Sequence, residues 1–306
     1  MAERNAIILV LLTAFVSGFS IFLNKFAVAG TNPFVFTAMK NIVVAVFLLS
    51  ALFLLKEFGA LRRLSKRNWL QLATIGLVGG STAFLIYFYA LQLTSAINAG
   101  FLHKTIFVFA TIFAIVFLKE KISRWFIAAA ILLLAGNYLL FSKISAFTPA
   151  DLLIVAAVFL WAIENILARQ LLLQPKISGK TVAFGRMFFG SFFMLAFLLA
   201  TNQFSFVFEQ TAQQLQWLFI TAILLFLYVV FYFSGLKGLQ VHKATALLML
   251  GQPVTVLLSV LFLNRALSFN DALGITLTVC GAVLVIGFSA FSNFSKAGKP
   301  NILKTR

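Results

Sequence analysis

Apolar residues run in stretches of about twenty along almost the whole chain, broken by short polar or basic segments. Ten windows stand out, near residues 6–28, 33–55, 69–91, 96–118, 125–141, 151–172, 182–200, 215–236, 244–263 and 270–288. A helix of about 20 apolar residues crosses about 30 Å of hydrocarbon. Barrel strands need only about 9–11 alternating residues, and these runs are longer and do not alternate. The pattern predicts an all-α integral membrane protein with ten transmembrane helices. Its first run, Ala6 to Val28, exceeds the roughly 7–15-residue core of a signal peptide and is read as a spanning helix.

Composition agrees. The chain is 62% hydrophobic and 10% charged, whereas soluble domains are about a quarter charged. The net charge of +17 suggests nucleic acid as a partner, but its distribution excludes that reading. With the N-terminus in the cytoplasm, eighteen of the 24 basic residues fall in inside segments and only Lys143 and Arg265 outside. Such a bias orients membrane proteins and predicts both termini inside. Lys25, Lys40, Lys104 and Arg186 remain, all within spans. The lone Cys280 permits no intrachain disulfide or multi-cysteine metal site, and is expected to be a buried small hydrophobe.

An internal repeat appears at an offset of 145, where Leu118 through Ser123 falls on Leu263 through Ser268. Tyr87 falls on Tyr232, Leu91 on Leu236, Ala99 on Ala244 and Gly136 on Gly281. Within one residue of that offset, Lys25 meets Arg169 and Lys40 meets Arg186. Five spans per copy is an odd number, so the second copy must be inverted in the membrane. Inverted repeats build alternating-access transporters with a site near the midplane. The expected organisation is 1–145 as the first repeat, 146–290 as the second, and 291–306 as a basic cytoplasmic tail.

These features resemble the EamA branch of the drug/metabolite transporter superfamily. The resemblance rests on Leu118-Lys119-Glu120-Lys121-Ile122-Ser123, on Tyr89-Ala90-Leu91 with Ala96 and Ala99, and on Gly251-Gln252-Pro253-Val254 with Leu263 through Ser268. It covers residues 6–288. Two positions depart from the family pattern. Val108 stands where the fourth helix often has the proline that the second copy keeps as Pro253, which bears on helix flexibility near the site. Asn264-Arg265 replaces a Gly-Glu pair in a loop. The resemblance implies export across a prokaryotic inner membrane.

Ionisable side chains within a bilayer are costly and are candidate functional groups. Glu164 is the only acid well inside a span. Trp161, Glu164 and Ala168 share one helix face, and the repeat sets them against Ser17, Ser20 and Asn24, a second polar stripe. Glu164 is read either as a proton or cation site or as the partner of a buried cation. Lys104 lies too deep to snorkel easily. It is expected to bind an anionic group or to pair with Glu164. His103, one position earlier and turned by about 100°, is expected to point elsewhere, as a site residue or as a hydrogen-bonded helix contact.

Lys40 and Arg186 are read as structural, reaching headgroups or a helix end. Tyr87 and Tyr232, with Trp161, are read either as an aromatic wall or as interface-belt residues. Gln252 beside Pro253 is placed where a backbone carbonyl can face a cavity. His242 is expected to be solvated. The 38 phenylalanines are read as lipid-facing and packing residues. Gly76-Leu77-Val78-Gly79-Gly80 has no following Lys-Ser/Thr, so it permits close helix approach rather than nucleotide binding.

The leading expectation is a secondary transporter of small polar metabolites, amino acids or related carboxylates, by alternating access. Its partners would be the substrate, the lipid bilayer and, if coupled, protons, with no nucleic acid and no cofactor. The chain would act as a monomer or homodimer. The alternative is an organic-cation exporter using Glu164 with aromatic cation–π contacts. An enzyme would need clustered acids, a nucleophile with its base, or a metal constellation, for which there is too little material. A purely structural or receptor role also remains open.

Overall fold

A computed structural model describes residues 2–28, 30–94, 96–141 and 147–297, without the side chains of Lys25, 96–98 and 288–297. The loop with Lys143 and the end of the basic tail lie outside the described residues. The helices are α1 (Glu3–Ala27), α2 (Pro33–Leu54), α3 (Lys66–Leu93), α4 (Ala96–Lys104 and Ile106–Leu118), α5 (Arg124–Leu140), α6 (Pro149–Leu172), α7 (Gly179–Ala200), α8 (Ala212–Gly238), α9 (Val241–Leu263) and α10 (Phe269–Ala297). Among the described residues there is no strand. Among those residues nine helices are long and apolar enough to cross a membrane, and α5 is a shorter apolar helix. The helix α10 runs into the segment expected to be tail.

Polar caps cut the apolar runs into helices. Asn32 accepts from the backbone of Phe34 and Val35 with Pro33 in the first turn, and Ser178 accepts from Thr181. Capping boxes Ser65–Asn68 and Thr211–Gln214 open α3 and α8. Ser123 and Ser268 cap α5 and α10. Beyond the ends of α2, α4, α7 and α9, Lys56, Lys119, Asn202 and Asn264 take left-handed backbone with φ between 50° and 57°. Corresponding caps therefore recur 145 or 146 residues apart: Asn32 with Ser178, Lys56 with Asn202, Ser65 with Thr211, Lys119 with Asn264, and Ser123 with Ser268.

Helix pairing follows the same relation. The helix α1 packs on α8 and α9, while α6 packs on α3 and α4; α2 lies against α7, and α5 against α10. Small residues allow the closest approaches. A Cβ on Gly190 of α7 would stand 2.6 Å from the Gly80 carbonyl oxygen of α3. Large apolar side chains such as Ile131, Phe192 and Leu261 face outward, as expected of a chain whose solvent is lipid. Cys280 is exposed on this surface, correcting its expected burial. It sits on the outer face of α10, which hydropathy does not distinguish from the inner one.

Interhelical ties concentrate at the end where α1 begins. Lys180 pairs with Glu57, Lys243 with Glu3 (3.1 Å), and Asn68 donates to Gln174 (2.9 Å). Arg169 donates to the carbonyls of Leu236 and Lys237, both at 2.7 Å. Glu120 accepts from the Val241 backbone (2.9 Å) and from Nδ1 of His242 (2.5 Å), holding the α4–α5 loop to the first turn of α9. Burial alone would push the Glu120 carboxyl up. The hydrogen bonds from the His242 ring and from the Val241 and His242 backbone instead hold it below the usual carboxylate range. His242 is thus buried against Glu120 and Phe126 rather than solvated, because the two-residue link between α8 and α9 folds it into the helix start.

Candidate functional site

A cavity of about 570 Å³ lies at the centre of the bundle, lined from α1 to α4 and from α6 to α9, with Phe141 just past α5. On α1 it meets Ser17, Ser20 and Asn24; on α6, Trp161 and Glu164; on α3 and α8, Tyr87 and Tyr232. His103 and Lys104 of α4 and Gln252 of α9 complete the expected set. The lining reaches from Thr245 and Phe233 out to Val28 and Phe141, away from the tied end of the bundle.

His103 and Lys104, the last two residues of the helical segment Ala96–Lys104, both line the cavity. The helix α4 breaks at Thr105, whose hydroxyl and N–H both return to the Leu102 carbonyl, at 2.6 and 3.0 Å. This turn replaces a helical step and needs no proline at Val108. The matching part of α9 is a 3-10 turn, Leu248–Leu250, just before Pro253. His103 stacks edge-on to Tyr87 and Trp161, with centroids 5.6 and 5.2 Å away.

Glu164 pairs with Arg186, not with Lys104. Arg186 also donates to the Gly79 carbonyl (3.0 Å), and its guanidinium lies over Phe84. Trp161 Nε1 donates to the same carbonyl at 3.1 Å. Gly79 sits in a π-helical segment, Gly76–Thr82, which widens the backbone ladder and turns that oxygen toward α6 and α7. A Cβ at Gly79 would overlap the Glu164 carboxylate, so any larger residue there would have to push that side chain aside.

Lys40 and Arg186, expected to reach headgroups or a helix end, instead turn inward, and both are buried and line the cavity. Lys40 donates to Asn24 (3.2 Å) and lies over Phe36 and Phe88. Each sits on the inward face of its helix, where no headgroup can be reached. Asn165, which donates to the Trp161 carbonyl and accepts from Tyr232, and Tyr228 were absent from the expected set. Asn165 adjoins Glu164, and that adjacency was the available signal.

Among the described lining residues, three basic side chains (Lys40, Lys104, Arg186) face a single acid. That acid is already engaged by Arg186. Lys104 is buried, at 3% exposure, and makes no hydrogen bond or ion pair among the described residues. The chamber is therefore polar, basic and aromatic-walled within an apolar bundle, as befits a membrane carrier with a central site for a small molecule.

The profile of the EamA-like transporter family matches residues 4–142 and again 148–287. The chain belongs to the EamA-like transporter family, within the drug/metabolite transporter superfamily. An "Uncharacterized transporter" from Archaeoglobus fulgidus is 26% identical over 293 residues, covering 93% of this chain and 98% of that protein. An "Uncharacterized transporter in cobO 3'region" from a Sinorhizobium species is 33% identical over 117 residues, covering 36% of this chain and 82% of its own. A solved crystal structure shares the fold with a TM-score of 0.75 at 18% identity, covering 94% of this chain and 98% of that one. The protein is thus a multi-pass membrane transporter.

Proposed function

We propose that the protein exports small carboxylate-bearing polar metabolites, amino acids foremost, across a prokaryotic inner membrane by alternating access. One observation carries the substrate class: among the described residues the central cavity offers basic side chains in excess, with Lys104 unengaged there and the one lining acid held by Arg186. A carboxylate is the ligand group that such a site attracts. A lipophilic cation would have to displace Arg186 from Glu164, so the pairing disfavours the organic-cation alternative.

In this reading ten helices cross the membrane as two inverted five-helix repeats, 1–145 and 146–290. The recurrence of caps at 145–146 residues and the reciprocal helix pairing support the duplication. The basic loops support a cytoplasmic position for both termini, and the prokaryotic origin of both relatives supports a prokaryotic inner membrane. The tied end then faces the cytoplasm and the cavity reaches toward the outside. Export requires the opposite state, reached when the ties at Glu120, Lys180 and Lys243 part. Counterflow of amino acids in proteoliposomes, compared with lipophilic cations, tests the reading. Flux of cations alone would sink it.

A further inference from the structure

The polar groups of the cavity divide by whether the protein already satisfies them. Lys40 is bonded to Asn24, Glu164 to Arg186, Asn165 to Tyr232, and Trp161 to Gly79. Thr245 and Thr255 return their hydroxyls to backbone carbonyls. Among the described lining residues, two side-chain atoms are sealed from solvent and have no partner: Oε1 of Gln252 and Nδ1 of His103. Gln252 is 3% exposed, and its oxygen can only accept. Proteins leave few such atoms unpaired, because an unmet buried acceptor is unfavourable. The local backbone offers no relief, since Pro253 has no N–H. Lys104 is the complementary case, a buried side chain with no hydrogen bond or ion pair among the described residues.

We infer that Lys104 and Gln252 form a two-part recognition subsite, in which Lys104 takes a carboxylate and the Gln252 carboxamide oxygen takes an N–H of the same molecule. The subsite rests on the carboxylate-transport reading and sharpens it. The ligand must carry an anion and an N–H donor together, as an α-amino acid does, and a carboxylic acid lacking the amine fills only half the site. The unpaired atoms lie on α4 and α9, helices that the repeat matches, and in that match Lys104 faces Met249 and Gln252 faces Phe107. The two copies have therefore diverged at the positions that read opposite ends of the ligand. The remaining wall, with Phe84, Phe88, Leu225 and Leu248, suits an apolar side chain.

Calorimetry on the full-length protein in lipid nanodiscs, with leucine and phenylalanine against 4-methylpentanoate and 3-phenylpropanoate, tests the subsite. Wild type should favour each amino acid over its desamino partner, and Gln252→Met should erase about tenfold of that preference, the worth of one charge-assisted hydrogen bond. Gln252→Glu, which keeps an acceptor, should retain amino-acid binding and weaken that of the desamino acids further. Lys104→Met should weaken all four ligands. Equal losses for amino and desamino ligands in Gln252→Met would overturn the subsite alone. Wild type binding none of the four would overturn the carboxylate reading and the subsite with it.

Discussion

Nδ1 of His242 lies 2.5 Å from Oε2 of Glu120, joining the loop after α4 to the start of α9 and hence one half of the chain to the other. The same carboxylate accepts from the Val241 backbone, so it caps α9 as it ties the halves. Because Glu120 titrates below its ordinary range, its stabilisation is complete above the unfolded value of about 4.3. It is lost as pH falls through the lower folded value. Glu120→Gln should lower stability near neutrality by about 1–3 kcal/mol and flatten the acid limb of a thermal-stability profile. An unchanged acid limb would refute this account of Glu120.

The tie also belongs to the closed end. Substituting it should open that end, raising the labelling by impermeant thiol reagents of a cysteine introduced at Thr245, in the deep wall of the cavity. Cys280 would first be replaced by alanine, which its exposed position tolerates. Labelling equal to that of the intact tie would show that Glu120 and His242 hold nothing shut.

Arg186 and Glu164 form a buried pair that shares Gly79 with Trp161. Removing one partner leaves the other uncompensated, at a cost of about 3–5 kcal/mol. Glu164→Gln and Arg186→Met should each destabilise strongly, and the double variant should recover part of the loss. Additive losses in thermal melts would deny the coupling.

Gly79→Ala places a methyl group on the Glu164 carboxylate. It should cost about 1–3 kcal/mol, as overpacking typically does, and disturb the cavity with it. Gly59→Ala, which meets nothing within 4 Å, serves as the control and should melt like wild type.

The hydropathy pattern located the helices well, because lipid demands long apolar runs and the caps between them are local chemistry. Depth was legible by counting residues, but direction around each helix was not. Lys40 and Arg186, expected at headgroups or a helix end, turn inward, and Cys280, expected inside, faces out. A stronger signal for Arg186 was present: Glu164, the only acid well inside a span, needs a cation, and Arg186 belongs to the next helix in the chain. His242, expected in solvent, is buried because a link of two residues is too short to hold its side chain out. The ten site residues named from the sequence meet in one cavity, since polar side chains in an apolar bundle have few other places to go.

The central claim is that Lys104 receives the carboxylate of a transported metabolite. The direct measurement is amino-acid counterflow in proteoliposomes of wild type and Lys104→Met, with matched thermal stability. The account predicts saturable wild-type flux, with at least about a tenfold loss in the variant from a missing charge-assisted bond. Undiminished flux in a folded Lys104→Met protein would contradict it.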